Sequence, residues 1–245
     1  MDPFLILGQP RSGTTYLQTL INAHPDAHCR GELFDPWQID DDGEKTQGLD
    51  AVIARDADPA GFLDARLKAP RGLLRRGARC IGAKVLFQHH PALFARYIPD
   101  RPGLRLIHVR RENKLAQFAS MQQVAKTGQW TAPAGGGAAP KIDAAPFWAA
   151  SECNRMENED FLLDAWLATL PNPVLRVTYR GLFARDFETR LQDFLGLTVS
   201  GPLTSSLKKQ GQNTILDRFA SPGPIERYFR ETGRADWLGP ELAAS

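Results

Sequence analysis

Apolar residues in this chain fall into short unbroken runs, most of them followed by a turn and then by a stretch with helical spacing. The first run, Phe4-Leu5-Ile6-Leu7, has the length and composition of a strand buried on both faces, as strands of parallel sheets are. A turn from Gly8 to Gly13 follows, and apolar residues then recur at Tyr16, Leu17, Leu20 and Ile21. That spacing predicts a helix from Gly13 to about Ala23, stopped by Pro25. Further runs predict a short strand at 27–29, inner strands at 80–87 and 104–109, and a last inner strand at 174–178. Helices are expected at 59–68, through Leu93, Phe94 and Tyr97, from about Asn113, at 147–170, and after Tyr179 as far as Gly196. Helix 147–170 carries Trp148, Phe161, Leu162 and Trp166, and its Glu152, Glu157, Glu159 and Asp160 read as a solvated face. Strands alternating with helices predict an α/β fold, P-loop-like and three-layered, with a central parallel sheet flanked by helices.

The first strand, turn and helix also carry candidate chemistry. A strand that turns tightly into a helix leaves backbone N–H groups unpaired at the helix N-terminus, where the helix dipole favours an anion. Gly8 and Gly13 allow the tight turn, Ser12, Thr14 and Thr15 add hydroxyl donors, and Arg11 adds a charged fork. The spacing is G-x-x-x-x-G-T-T, the phosphate-binding frame G-x-x-x-x-G-K-[ST] with Thr14 in place of the lysine. The cation lies inside the loop instead, at Arg11.

Composition narrows the field. The 245 residues are 42% hydrophobic and 24% charged, ordinary for a globular protein, and residues 1–245 are expected to form one domain. A formal net charge of +2 gives no reason to expect a nucleic-acid partner. Cys29, Cys80 and Cys153 are odd in number and far apart, which fits reduced thiols in a cytoplasmic protein and neither a metal site nor a disulfide frame. No signal peptide and no apolar run of membrane-spanning length is evident. Residues 128–146 are rich in Gly, Ala and Pro and read as a flexible loop and candidate lid.

Other polar residues gather at predicted strand ends. Glu32 follows the short second strand and would emerge beside the anion loop, at the edge where open α/β sheets bind ligands. Residues 40–44 form an acidic segment, read as solvated and mobile, without the alternating ligand spacing of a calcium loop. Arg71, Arg75, Arg76 and Arg79 read as a basic surface. Lys84 sits within an otherwise apolar strand, so it either snorkels at the sheet edge or serves a site. Gln88-His89-His90-Pro91 follows that strand. Arg110-Arg111 ends the next strand, with Ser120 some two turns into the following helix. Two basic strand ends suggest a ligand with two separated anionic groups. The chain beyond residue 200 reads as polar and irregular, with one short helix near Pro224.

These segments together resemble the sulfotransferases that use 3′-phosphoadenosine 5′-phosphosulfate (PAPS). FLILGQPRSGTTYL is similar to their 5′-phosphosulfate loop, in the arginine version of bacterial carbohydrate sulfotransferases. LRLIHVRRENKLAQFAS resembles their 3′-phosphate element, which implies that role for Arg111 and Ser120, with a spacing one residue longer than in the cytosolic branch. VLRVTYRGLFARDFETRLQDFLGL resembles the strand–Tyr–helix segment whose tyrosine adjoins adenine, implying Tyr179. Lys208 and Lys209 resemble the basic loop of a C-terminal segment, 200–245, that closes over PAPS. The resemblance implies metal-independent transfer of a sulfuryl group from PAPS to a hydroxyl, by in-line displacement. It implies Glu32 as general base, with the histidine-before-proline His90 as the competing assignment, and Lys84 at the bridging oxygen.

The acceptor stays open between a sugar, a glycolipid and a phenol, the last because Phe34, Trp37, Phe87 and Trp130 could line an aromatic pocket. Relatives are often dimers, so a homodimer is a candidate assembly. Two other readings are open to this sequence: a P-loop nucleotide kinase or NTPase, and a non-catalytic nucleotide-binding module of the same fold. The missing loop lysine and the lack of a convincing strand-end aspartate for magnesium count against the first. The presence of Arg11, Arg111 and Glu32 counts against the second.

Overall fold

The computed structural model describes residues 3–68, 79–128, 140–199, 201–205, 207 and 214–242. Its centre is a five-stranded sheet in the order β2-β5-β1-β6-β7, formed by β1 (Phe4–Gly8), β2 (Ala27–Arg30), β5 (Cys80–Leu86), β6 (Arg105–Arg110) and β7 (Val174–Thr178). Every pairing in it is parallel. β1 lies in the middle and is buried along its whole length, as its unbroken apolar run requires.

Alternation along β1 defines the three layers. Phe4 and Ile6 pack with residues of α1 (Thr14–Ile21) and α6 (Phe187–Leu195). Leu5 and Leu7 pack on the opposite face with residues of α3 (Pro59–Lys68) and of the C-terminal half of α5 (Pro146–Leu167). A third core joins α4 (Lys114–Thr127), the N-terminal half of α5 and α7 (Pro222–Glu231). The fold class is the expected one, α/β with helices on both faces of a parallel sheet. Asn113 caps α4 by accepting the Ala116 N–H at 2.8 Å, the usual work of an N-cap asparagine.

Several expected features differ. Residues 40–44 are not a loose acidic loop: β3 (Ile39–Asp41) and β4 (Glu44–Thr46) form a hairpin, followed by α2 (Leu49–Ala57). Arg30 Nη1 lies 2.5 Å from Asp41 Oδ1, and His28 Nε2 lies 2.9 Å from Asp42 Oδ2, so cations on β2 anchor the hairpin. Residues 93–97 form a π-helical turn, not a regular helix. Asp160 is buried, whereas Phe161 and Leu162 are exposed, so α5 is turned from the expected orientation. The chain after residue 214 is not a polar tail, since Ile215, Phe219, Ile225, Phe229 and Trp237 are all core residues. All three cysteines are buried thiols. No helix among the described residues is long and apolar enough to cross a membrane.

Candidate functional site

Four strand ends meet around the β1–α1 turn. Arg11 takes a left-handed backbone conformation (φ 62°), and Gly13 has φ 106°. A Cβ on Gly13 would come within 2.8 Å of Leu182 and 2.9 Å of Tyr179, so glycine alone fits there. No side chain caps the start of α1, which leaves its first N–H groups for an external acceptor.

The turn is held from below by a buried polar network. Gln9 Nε2 donates to Met156 O at 2.6 Å and to Asp160 Oδ1 at 2.7 Å. Lys114 Nζ donates to Asp160 Oδ2 at 2.5 Å and to Gln117 Oε1 at 3.1 Å. Gln117 Nε2 closes the network on Pro10 O at 2.8 Å. Each donor in it has an acceptor, so the ion pair is buried without orphaned groups and the loop has a fixed floor.

On one side of the loop lies an acid–base cluster. Lys84, on β5, reaches toward α1: its Nζ donates to Thr15 Oγ1 at 2.9 Å and lies 3.0 Å from Glu32 Oε1. His89 accepts the Leu86 N–H on Nδ1 at 3.1 Å, so its Nε2 carries the proton in the neutral ring. That nitrogen faces Glu32 Oε2 at 3.5 Å. Burial by itself would raise the Glu32 pKa, but His89 and Lys84 outweigh it and hold the carboxyl down to about 2. These groups line a cleft of about 430 Å³, whose outer wall includes Asp35, Trp37, Gln38 and Gln88. Trp37 stands at its rim, 82% exposed.

On the other side lies an arginine cluster. Arg11 Nε donates to Ser120 Oγ at 2.9 Å, and Arg111 Nη1 donates to Arg11 O at 2.9 Å. The Arg111 guanidinium stacks over the Tyr179 ring at 4.5 Å. Its Nε and Nη2 each lie 2.5 Å from a carboxylate oxygen of Glu241. Burial, then repulsion from Arg111, lowers the pKa of both Arg11 and Arg218 to about 10.

Residues expected from the sequence therefore fall in two groups. Glu32, Lys84, Arg11, Thr14 and Thr15 line the one cleft, with Ser12 and Gly13 in the loop beside it. Arg111, Ser120 and Tyr179 sit together beyond Arg11. His90 lies outside: its Nδ1 accepts the Ala92 N–H at 3.2 Å, and its neighbour His89 is the histidine against Glu32. Phe34 packs into the core and Phe87 packs against it, leaving Trp37 as the cleft's aromatic residue among these three. Lys208, Lys209, Trp130, Arg71, Arg75 and Arg76, and most of the expected 128–146 lid, lie outside the described residues.

Sequence reasoning missed His89, the Gln9–Asp160–Lys114 floor, Arg218 and Glu241. Asp160 had a usable signal: it continues the stripe Cys153, Met156, Leu163 and Leu167, all buried on α5. Arg218 and Glu241 are single charged residues far along the chain and carry no such pattern.

A family model described as "Sulfotransferase family" matches residues 3–201. Nodulation protein H of Rhizobium meliloti (strain 1021) is 33% identical over 130 residues, 53% of this chain and 50% of that protein. The chain thus spans about half the length of that curated relative. Nodulation protein H of Rhizobium tropici is 27% identical over 247 residues, covering 93% of each. Among solved structures, a sulfotransferase from Alicyclobacillus acidocaldarius aligns with a TM-score of 0.48 and 16% identity, over 94% of this chain and 96% of that one.

Proposed function

The chain belongs to the sulfotransferase family, and from that premise we propose that it moves the sulfuryl group of PAPS to a hydroxyl of a carbohydrate or similar small molecule. The observation that carries the reading is the position of Lys84, whose ammonium bridges Glu32 on the acceptor side and Thr15 on the anion loop. Arg11, Ser12, Gly13, Thr14, Thr15 and the first N–H groups of α1 would hold the 5′-phosphosulfate. Arg111 and Ser120 would hold the 3′-phosphate, and Tyr179 would flank the adenine. Residues 1–245 would act as one domain.

The donor, when bound, supplies an activated sulfuryl group and a phosphate that gains charge as it leaves. Preorganised donors at the loop would stabilise that charge, which needs no metal to be balanced. Glu32 would take the proton of the acceptor hydroxyl. A carboxylate held at about 2 is a weak base. Drawing Lys84 away from Glu32 toward an anion on the loop would raise its basicity, against the His89 contact that stays in place, so one lysine could serve both ends. The cleft wall favours a sugar over a phenol, because Asp35, Gln38 and Gln88 offer hydrogen bonds and Trp37 offers one open aromatic face.

Calorimetric titration with 3′-phosphoadenosine 5′-phosphate (PAP), AMP, ATP and GTP tests the reading. PAP should bind far more tightly than AMP, and labelled sulfate should pass from PAPS to a hydroxyl acceptor in the presence of EDTA. Equal affinity for PAP and AMP, or magnesium-dependent cleavage of ATP, would overturn it.

A further inference from the structure

The arginine cluster already holds an anion, and that anion belongs to the protein. Glu241 lies in the last stretch of described chain, after α7 and a short 3₁₀ turn (Ala235–Trp237). Its carboxylate meets Arg111 in a two-point contact, Nε to Oε1 and Nη2 to Oε2, each at 2.5 Å. The side chain is 1% exposed. Its backbone oxygen accepts from Arg180 Nε at 2.9 Å, and Leu242 packs against the α1–α6 core. A carboxylate held by the two parallel donors of one guanidinium edge presents its oxygens as one face of a phosphate does.

We propose that Glu241 is an intramolecular competitor, a carboxylate seated against Arg111 where the 3′-phosphate of the nucleotide would bind, so that the C-terminal strap must withdraw before the donor enters. The inference rests on the PAPS reading of Arg111 given above. Two further observations support it. Arg11 lies within one hydrogen bond of both Arg111 and Ser120, and Arg218 interacts electrostatically with Arg111 and Glu241, so an anion seated at Arg111 meets further cations beside it. Beyond Leu238, which is buried in the third core, the described strap meets the rest of the chain at the backbone bridge between Thr214 and Pro240, at the Arg180 contact and through Leu242, and it is not one of the strands of the sheet.

A competitor of this kind lowers apparent affinity by the fraction of molecules in which it is displaced. A constant positioning partner of Arg111 would do the reverse, since its loss would loosen the arginine and weaken binding. Glu241→Gln and Glu241→Asp in the full chain separate the two. Titration with PAP should show about tenfold tighter binding for Glu241→Gln and a smaller gain for Glu241→Asp, with AMP affinity unchanged in both. Stopped-flow binding of PAP to the wild type should approach a plateau rate set by strap release, and Glu241→Gln should remove the plateau. Wild-type binding of PAP that is unchanged or weakened by Glu241→Gln, with thermal melting showing that variant folded, overturns the competitor and leaves the PAPS reading standing. PAP binding to neither the wild type nor the Glu241 variants overturns both.

Discussion

Lys84 Nζ stands 3.0 Å from Glu32 Oε1, and this pair ties the end of β2 to β5 at the mouth of the anion loop. Among the described residues β2 is an edge strand, paired in the sheet with β5 alone, so the position of Glu32 depends on that neighbour. The Glu32 carboxylate is also faced by His89, which is itself fixed by the backbone of Leu86. Lys84, Leu86 and His89, all on β5 or just after it, thus set the place and charge of a carboxylate that follows β2.

Replacing Glu32 by glutamine should leave PAP affinity near the wild-type value and lower kcat by about 10²–10⁴. The amide keeps the size but cannot take the acceptor proton. His90→Ala should stay close to wild-type turnover, because the His90 ring caps Ala92 away from the cleft. Steady-state kinetics with PAPS and calorimetry with PAP check both. A dead His90→Ala beside a near-normal Glu32→Gln would assign the base to the histidine.

The same carboxylate predicts a pH dependence of stability. Burial would raise its pKa, but His89 and Lys84 lower it from 4.5 to about 2. A depressed carboxylate pKa contributes stability that is complete above the unfolded-state value and is lost as pH falls through the folded one. The wild type should therefore lose more stability than Glu32→Gln between about pH 4.5 and pH 2, by about 2–3 kcal/mol. Urea unfolding at stepped pH measures the difference. Parallel pH profiles would mean that the two cations do not hold Glu32 ionised.

Much of this site could be read locally. β1, its loop and α1 are contiguous, so an apolar run, two glycines and a change of period were enough to find them. Arg111 and Tyr179 follow β6 and β7 directly, and strand ends of a parallel sheet share one edge. The choice between His89 and His90 was not local: adjacent residues of one type differ only in the direction the turn gives them. The Arg111–Glu241 pair spans 130 positions and joins residues whose flanking sequences announce nothing. Exposed Phe161 beside buried Asp160 reverses what residue type suggests, because the floor of the loop needs a carboxylate for Gln9 and Lys114.

That floor predicts unequal effects at neighbouring positions on α5. Asp160→Ala would strand the buried Lys114 ammonium and should cost about 3–5 kcal/mol, with weaker PAP binding as the loop loosens. Glu159→Ala removes only a solvent-facing partner of Arg155 and should cost less than about 1 kcal/mol. Urea denaturation of the two variants compares them directly. Similar losses would show that Asp160 does not carry the buried network.

Trp37 tests the acceptor side. Its indole stands at the rim of the cleft that holds Glu32, and Asp35 Oδ1 accepts the Trp37 backbone N–H at 2.8 Å, which fixes the turn beneath it. An indole 82% exposed makes little contribution to the core, so Trp37→Ala should leave thermal stability nearly unchanged. If its open face receives a sugar ring, loss of that contact removes binding shared by the ground and transition states. KM for the acceptor should then rise about tenfold while kcat and PAP affinity hold. Trp37→Phe should recover part of the loss, since a smaller ring still offers an apolar face. An unchanged KM in Trp37→Ala across sugar acceptors would remove the indole from the acceptor site and leave recognition to the polar wall of Asp35, Gln38 and Gln88.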